Sequence, residues 1–433
     1  MKIASQSVTN QECVSESQTN NRQRQEDARV IVRRPSCSAK SGLGSAEGEG
    51  VGLGANDLVY SVRRELLQNS GLAMFARMRL IAMILFAGFI SHAGLMQARA
   101  KDASGILVPA GDYPLGPGTT RTDYESIDPM ARRLYIAKMG AGQLLIFDIE
   151  HNKLVAQMEG FPKVTGVLAV PELHKVYASA PGGGLLSSLS QGLGMAGMSS
   201  GRGEVVVRDA RSLKEIARLP GGVFPDGITY DPKEKRIFVS DEMGGAVTVI
   251  GADADKFISR IDTAGEVGNV RYDPATGKVF APVQSHNELV EIDPKRLAVS
   301  SRHLLAGCDH PHGFIVAPEE SIGYVACDEN DRLLTIDLPS GHILQNQPVA
   351  HDPDVLAVDG GTHRLYVATE PGNLSVFDIS TEQNPVPLGD MFVAKGAHAV
   401  AVDPATHRLY LALADLNGRA MLRVLAPKAS ETH

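Results

Sequence analysis

The chain has 433 residues, a formal net charge of −8 at pH 7 and no tryptophan. That length holds two or three ordinary domains or one large repeat architecture. The acidic balance, with no evident basic stripe, argues against a nucleic-acid partner.

In chain order, residues 1–77 are polar, rich in Gly, Ser, Gln and Arg, and show no sustained hydrophobic period. They are read as an upstream extension outside the fold, with translation expected to begin at Met78 or Met74. Around residues 78–100, Arg77 and Arg79 precede an apolar run from Leu80 to Ile90, followed by Ala98-Arg99-Ala100. This is the pattern of a secretory signal peptide, with cleavage after Ala100 and a mature chain from Lys101. The run is too short for a comfortable membrane span. The expected location is therefore the periplasm, with no stable span after cleavage; the alternative is an uncleaved anchor. The mature chain keeps two cysteines, Cys308 and Cys327, in an oxidising compartment.

From Asp128 onward one pattern recurs seven times: an Asp-Pro-like turn followed by Arg-Leu-Tyr-Val-Ala or its equivalent. The copies are DPMARRLYIA from Asp128, VPELHKVYAS from Val170, DPKEKRIFVS from Asp231, DPATGKVFAP from Asp273, APEESIGYVA from Ala317, DGGTHRLYVA from Asp359 and DPATHRLYLA from Asp403. The spacing is about 42 to 44 residues, with one step of about 61, and a period near 40 to 45 signals a β-propeller. In blade 7, His398 to Val402 reads as an inner strand and Asp403 to Thr406 as a turn. RLYLAL is then a second strand and AMLRVLA a third. Elsewhere a fourth follows, such as KLVAQM after LLIFDI. The fold expected is all-β: seven blades of four antiparallel strands. The last copy stops after three strands, and the orphan ILVPAGDYPL from Ile106 is expected to complete it and close the ring. The long step is an insertion at residues 180–203, between strands two and three of blade 2. It is read either as a lid or partner-binding loop or as a tolerated surface insertion.

Segments such as FPDGITYDPKEKRIFVSDEMGGAVTVI and HPHGFIVAPEESIGYVACDENDRLLTIDLPSG resemble the YVTN-repeat propellers, often described as YncE-like proteins of bacterial periplasms. Pro225-Asp226-Gly227 and Pro311-His312-Gly313 match the first element, Tyr366-Val367-Ala368-Thr369 the second loosely, and Ile336-Asp337 the third. The resemblance covers residues 101–433. It departs at DYESID and VTGVLAVP, and no copy keeps the full YVTN tetrapeptide. It implies the fold and is only weakly informative for function, since such propellers include scaffolds and enzymes.

The residue five positions before each marker opens the inner strand: Asp123, Thr165, Asp226, Gly268, His312, Asp354 and His398. In a closed ring these surround one mouth of the central channel. Asp226, His312, Asp354 and His398 mix carboxylate and imidazole, a set suited to zinc or another transition metal. Asp123, Asp226 and Asp354 with Asn269 suit calcium better. Small polar residues at a channel mouth also serve simply to solvate it and cap strand ends, and residues on opposite blades need a bridging water to share an ion. Loops between strands two and three add Lys138, Asp241, Glu242, His286, Asn287, Asp328, Glu329, Asn330 and Glu370, a mostly acidic set favouring cations or a basic partner.

Cys308 and Cys327 fall at the top of one hairpin in blade 5, close enough for a disulfide. The competing reading is a thiolate–imidazole metal site built from Cys308, His310, His312 and Cys327. No haem-attachment motif, nucleophile elbow, HExxH helix or phosphate loop occurs in the mature chain. The expected function is an exported scaffold binding a small ligand, a divalent metal or a periplasmic protein through this face. The alternative is a metal-dependent, lactonase-like hydrolase or lyase with His312 or His398 moving the proton.

Overall fold

The computed structural model describes residues 102–182 and 203–428. The N-terminal extension, the signal segment and nearly all of the insertion at 180–203 lie outside the described residues. Within them the chain forms seven four-stranded antiparallel sheets, the blades of a β-propeller. Blade 1 runs outward from Glu125–Asp128 through Arg133–Lys138 and Gln143–Asp148 to Lys153–Glu159. No helix among the described residues is long and apolar enough to cross a membrane.

Each repeat residue has a physical task. The aromatic of the second strand is Tyr135, Tyr177, Phe238, Phe280, Tyr324, Tyr366 or Tyr410, and all seven are buried. Burying each phenylalanine stabilises by roughly 1.5–3 kcal/mol, and the tyrosine rings gain likewise less the cost of desolvating their hydroxyls. The core lies between blades: Tyr177, Val205 and Val207 of blade 2 pack on Ile228, Ile237 and Val239 of blade 3. The marker aspartate closes the turn. Asp128 accepts the amides of Met130 and Ala131, and Asp231 those of Lys233 and Glu234. Several markers also latch the next blade. Asp403 takes both Arg132 nitrogens, Asp359 takes His407, and Asp273 takes the Ser321 hydroxyl.

The fourth residue after each marker is left-handed in every blade: Arg132, His174, Lys235, Gly277, Ser321, His363 and His407. Only one is glycine, so six turns bear the Cβ penalty of that conformation. The outer strands share a bulge as well. The register slips opposite Ile146, Val207, Val249, Glu291, Thr335 and Val376, and within the N-terminal strand at Pro109/Gly111. The residues left out of the ladder include Val155, Ile216, Ile258 and Leu344, all solvent-exposed. Such bulges twist the outer edge away from edge-to-edge pairing.

Closure is explicit. Leu107–Pro114 pairs antiparallel with Met421–Pro427, from Leu107 opposite Pro427 to Pro114 opposite Met421. Arg423 grips Asp112 with two hydrogen bonds of 2.8 Å. In blade 5, Cys308 and Cys327 are joined by a disulfide with Cα atoms 5.4 Å apart.

Candidate functional site

At one level the inner strands of blades 2, 3 and 5 approach their neighbours too closely for a side chain, and each carries glycine there. A Cβ on Gly166 would stand 1.9 Å from the Asp226 carbonyl oxygen, and one on Gly313 would stand 2.0 Å from that of Asp354. This close approach, one residue after the mouth position, draws the mouth residues together. Two blades place a large polar group there instead. Tyr124 reaches from blade 1 across the channel, and its hydroxyl donates to Asn269 Oδ1 of blade 4 at 2.7 Å. The same hydroxyl lies 3.4 Å from Asp226 Oδ2 and 3.4 Å from His312 Nε2.

Above this cross-link lies a cavity of about 310 Å³ lined by Asp123, Thr165, Asp226, His312 and Asp354, together with loop residues. On the side of blades 5 to 7 its groups are paired. Asp354 bridges two imidazoles: Oδ2 stands 2.7 Å from His398 Nδ1 and Oδ1 3.4 Å from His312 Nε2. His398 is buried, and its Nε2 donates to the Thr122 carbonyl at 3.0 Å. Arg121 forks onto Glu370 at 2.6 and 3.1 Å, and Glu370 Oε1 lies 3.7 Å from His398 Nδ1. His312 Nδ1 faces Gln284 Oε1 at 3.3 Å, while the Gln284 amide donates to Glu242.

Electrostatics follow from this layout. Burial opposes charge on His398, but its bond to Asp354 and the charges of Asp354 and Asp123 win, raising it to about 9. Burial would raise Asp354; the His398 bond and the charges of His398, His312 and Arg121 hold it below the usual carboxylate range. The Asp328 and Glu266 carboxylates raise His310 to about 10. Burial and the nearby Asp226 charge push Asp123 and Glu242 upward, and burial pushes Asp226 the same way.

In shape the chain is similar to a chain titled Kuenenia stuttgartiensis hydrazine synthase, with a TM-score of 0.58 and 14% identity over 78% of this chain and 99% of that one. That likeness shows the propeller fold alone. No family model and no curated protein matches the chain.

Of the four mixed ligands expected from the sequence, Asp354 and His398 meet, and the residue completing their set is Glu370 rather than Asp226 or His312. The ligand atoms of Asp354, Glu370 and His398 lie within 4.8 Å of one another, the one such set among the described residues. Asp123, Asp226 and Asp354, the oxygen-rich alternative with Asn269, do not converge at that distance. Thr165 spends its hydroxyl on the Pro225 carbonyl, and Asn269 serves Tyr124. The thiolate alternative meets two sulfurs bonded to each other, with His310 held by Asp328 at 2.8 Å. Arg121, Tyr124, Arg271 and Gln284 escape the sequence reading. For Tyr124 a signal exists: it occupies, as Asn269 does, the position that is glycine in blades 2, 3 and 5.

Proposed function

We propose that this is an exported, periplasmic propeller of the YVTN-repeat kind, a binding protein whose upper channel mouth holds a divalent transition-metal ion on Asp354, Glu370 and His398. The signal-like segment ending Ala98-Arg99-Ala100 supports export, and the repeat elements support the family. The observation carrying the metal reading is the three-ligand convergence, together with the orientation of His398. Donation from Nε2 to the Thr122 carbonyl turns Nδ1 toward the two carboxylates, the usual outer-shell device for a ligating histidine, and the proton that Nδ1 shares with Asp354 in the metal-free protein would leave as the ion binds. A mixed nitrogen and oxygen donor set suits zinc better than calcium. Bound metal would display a small ligand or a periplasmic protein partner at the mouth. Calorimetric titration of chelator-treated protein with Zn²⁺ tests this. His398→Ala should weaken binding by more than the roughly 10- to 100-fold typical of an outer-shell change. Equal affinity in wild type and variant would remove the assignment.

A metal-dependent hydrolase or lyase is the second reading, favoured by the sequence of contacts from Tyr124 hydroxyl to His312 Nε2 to Asp354. An imidazole between a phenol and a carboxylate can move a proton at substrate bound beside the ion. Zinc-loaded protein hydrolysing a simple lactone, with turnover lost in Tyr124→Phe while zinc is retained, would favour this reading. No turnover in the zinc-loaded wild type leaves the binding protein.

A further inference from the structure

The paired groups occupy one wall of the cavity. The wall built by blades 1 to 3 is different: Asp123, Asp226 and Glu242 line it, and Thr165 stands between the two aspartates in the ring. Asp123 is only 7% exposed, and its carboxylate forms no hydrogen bond or ion pair with any described residue. Asp226 is 3% exposed; the Tyr124 hydroxyl lies 3.4 Å from its carboxylate, and the Thr165 hydroxyl and the His312 charge also favour its ionised form. The neighbouring cations are committed elsewhere. Arg121 is forked onto Glu370, Arg271 donates to the Val270 carbonyl, and Lys138 donates to the Pro117 carbonyl. His312 stands 4.0 Å from Glu242 but is nearer to Asp354.

Buried carboxylates with only distant counter-charges are costly: alone they are pushed toward the neutral acid, and a cation brought close by a ligand would favour the ionised form. A metal ion does not fit this wall. Metal bonds of about 2.0–2.6 Å require crowded donors, and Asp123, Asp226 and Glu242 do not come within 4.8 Å of one another as a set. A cation that spreads several N–H donors over a wider span does fit: an ammonium offers three and a guanidinium five. We propose that this wall binds the ammonium or guanidinium group of a small organic cation, with Asp123 as its principal acceptor and Asp226 and Glu242 flanking it. A cavity of about 310 Å³ is at the small end of ligand pockets, which selects a short alkylamine or guanidinoalkylamine over a peptide.

The site shares a cavity with the proposed metal but rests on different residues, so the two stand or fall separately. Equilibrium dialysis of chelator-treated protein at low ionic strength, with labelled putrescine and with agmatine as probes, tests it. Saturable binding is expected for at least one probe. Asp123→Asn should weaken it by about tenfold or more, the value of a charge-assisted hydrogen bond, while Lys233→Ala, at an exposed turn outside the cavity lining, should leave it within about threefold. Asp123→Asn removes a buried acid whose ionisation burial opposes, so its melting temperature at pH 8 should be no lower than wild type, which separates lost binding from lost fold. No saturable binding of either probe overturns the inference. So does equal binding by Asp123→Asn, or an equal loss of binding in Lys233→Ala. Asp123-dependent binding in a protein that takes up no zinc would sustain this site while removing the metal.

Discussion

His310 stands at the rim between two carboxylates, 2.8 Å from Asp328 and 3.9 Å from Glu266. Its folded value of about 10 lies above the ordinary 6.5. The folded state therefore binds the proton more tightly, and the stability this contributes is fully present below about pH 6.5 and lost as pH rises through about 10. The melting temperature of wild type should exceed that of His310→Gln at pH 6, with the gap closing by pH 10.5. A gap that stays constant with pH would mean that packing, not the ion pair, is the source. At this scale the ring of mouth residues was legible, because repeat spacing alone sets which residue opens each inner strand. Arg121 was not: its partner Glu370 is 249 residues away, and only closure of the ring brings them together. Tyr124 acts through length, reaching blades that the repeat assigns to other residues.

At the level of elements, turns and strands follow from local chemistry. Aspartate-capped hairpins, buried aromatics and alternating strands are written into each copy, and the closing strand was legible from the missing fourth strand of blade 7. The bulges were not, because slipping a ladder by one residue leaves the alternation on either side intact. Nor were the left-handed positions, which Arg132, His174 and His407 occupy where glycine is the usual signal. Deleting Leu107–Tyr113 would strip the outer strand from blade 7 and leave Met421–Pro427 as an open edge. The unfolding temperature should fall sharply, by roughly 10 °C, as a loss of several kcal/mol implies. An unchanged melt would show that the Met421–Pro427 edge closes without it.

Across the whole molecule, the ring turns sequence-distant residues into neighbours. Asp354 and Glu370 of blade 6 and His398 of blade 7 meet because their blades are adjacent, and blade 1 adds Arg121 and the Thr122 carbonyl behind them. Seven near-equivalent copies build a scaffold with two chemically distinct walls at one mouth: carboxylates paired with imidazoles on one side, and carboxylates without a close cation on the other. What the mouth can bind is thus set by the positions where copies differ, while the shared residues hold the blades together. The most direct test is the metal content of the protein purified from its host without chelators. One transition-metal ion per chain, lost in Asp354→Asn and in His398→Ala while both variants keep the wild-type circular dichroism spectrum, is the predicted result. Wild-type protein carrying no stoichiometric metal and taking up none from added Zn²⁺ would contradict it.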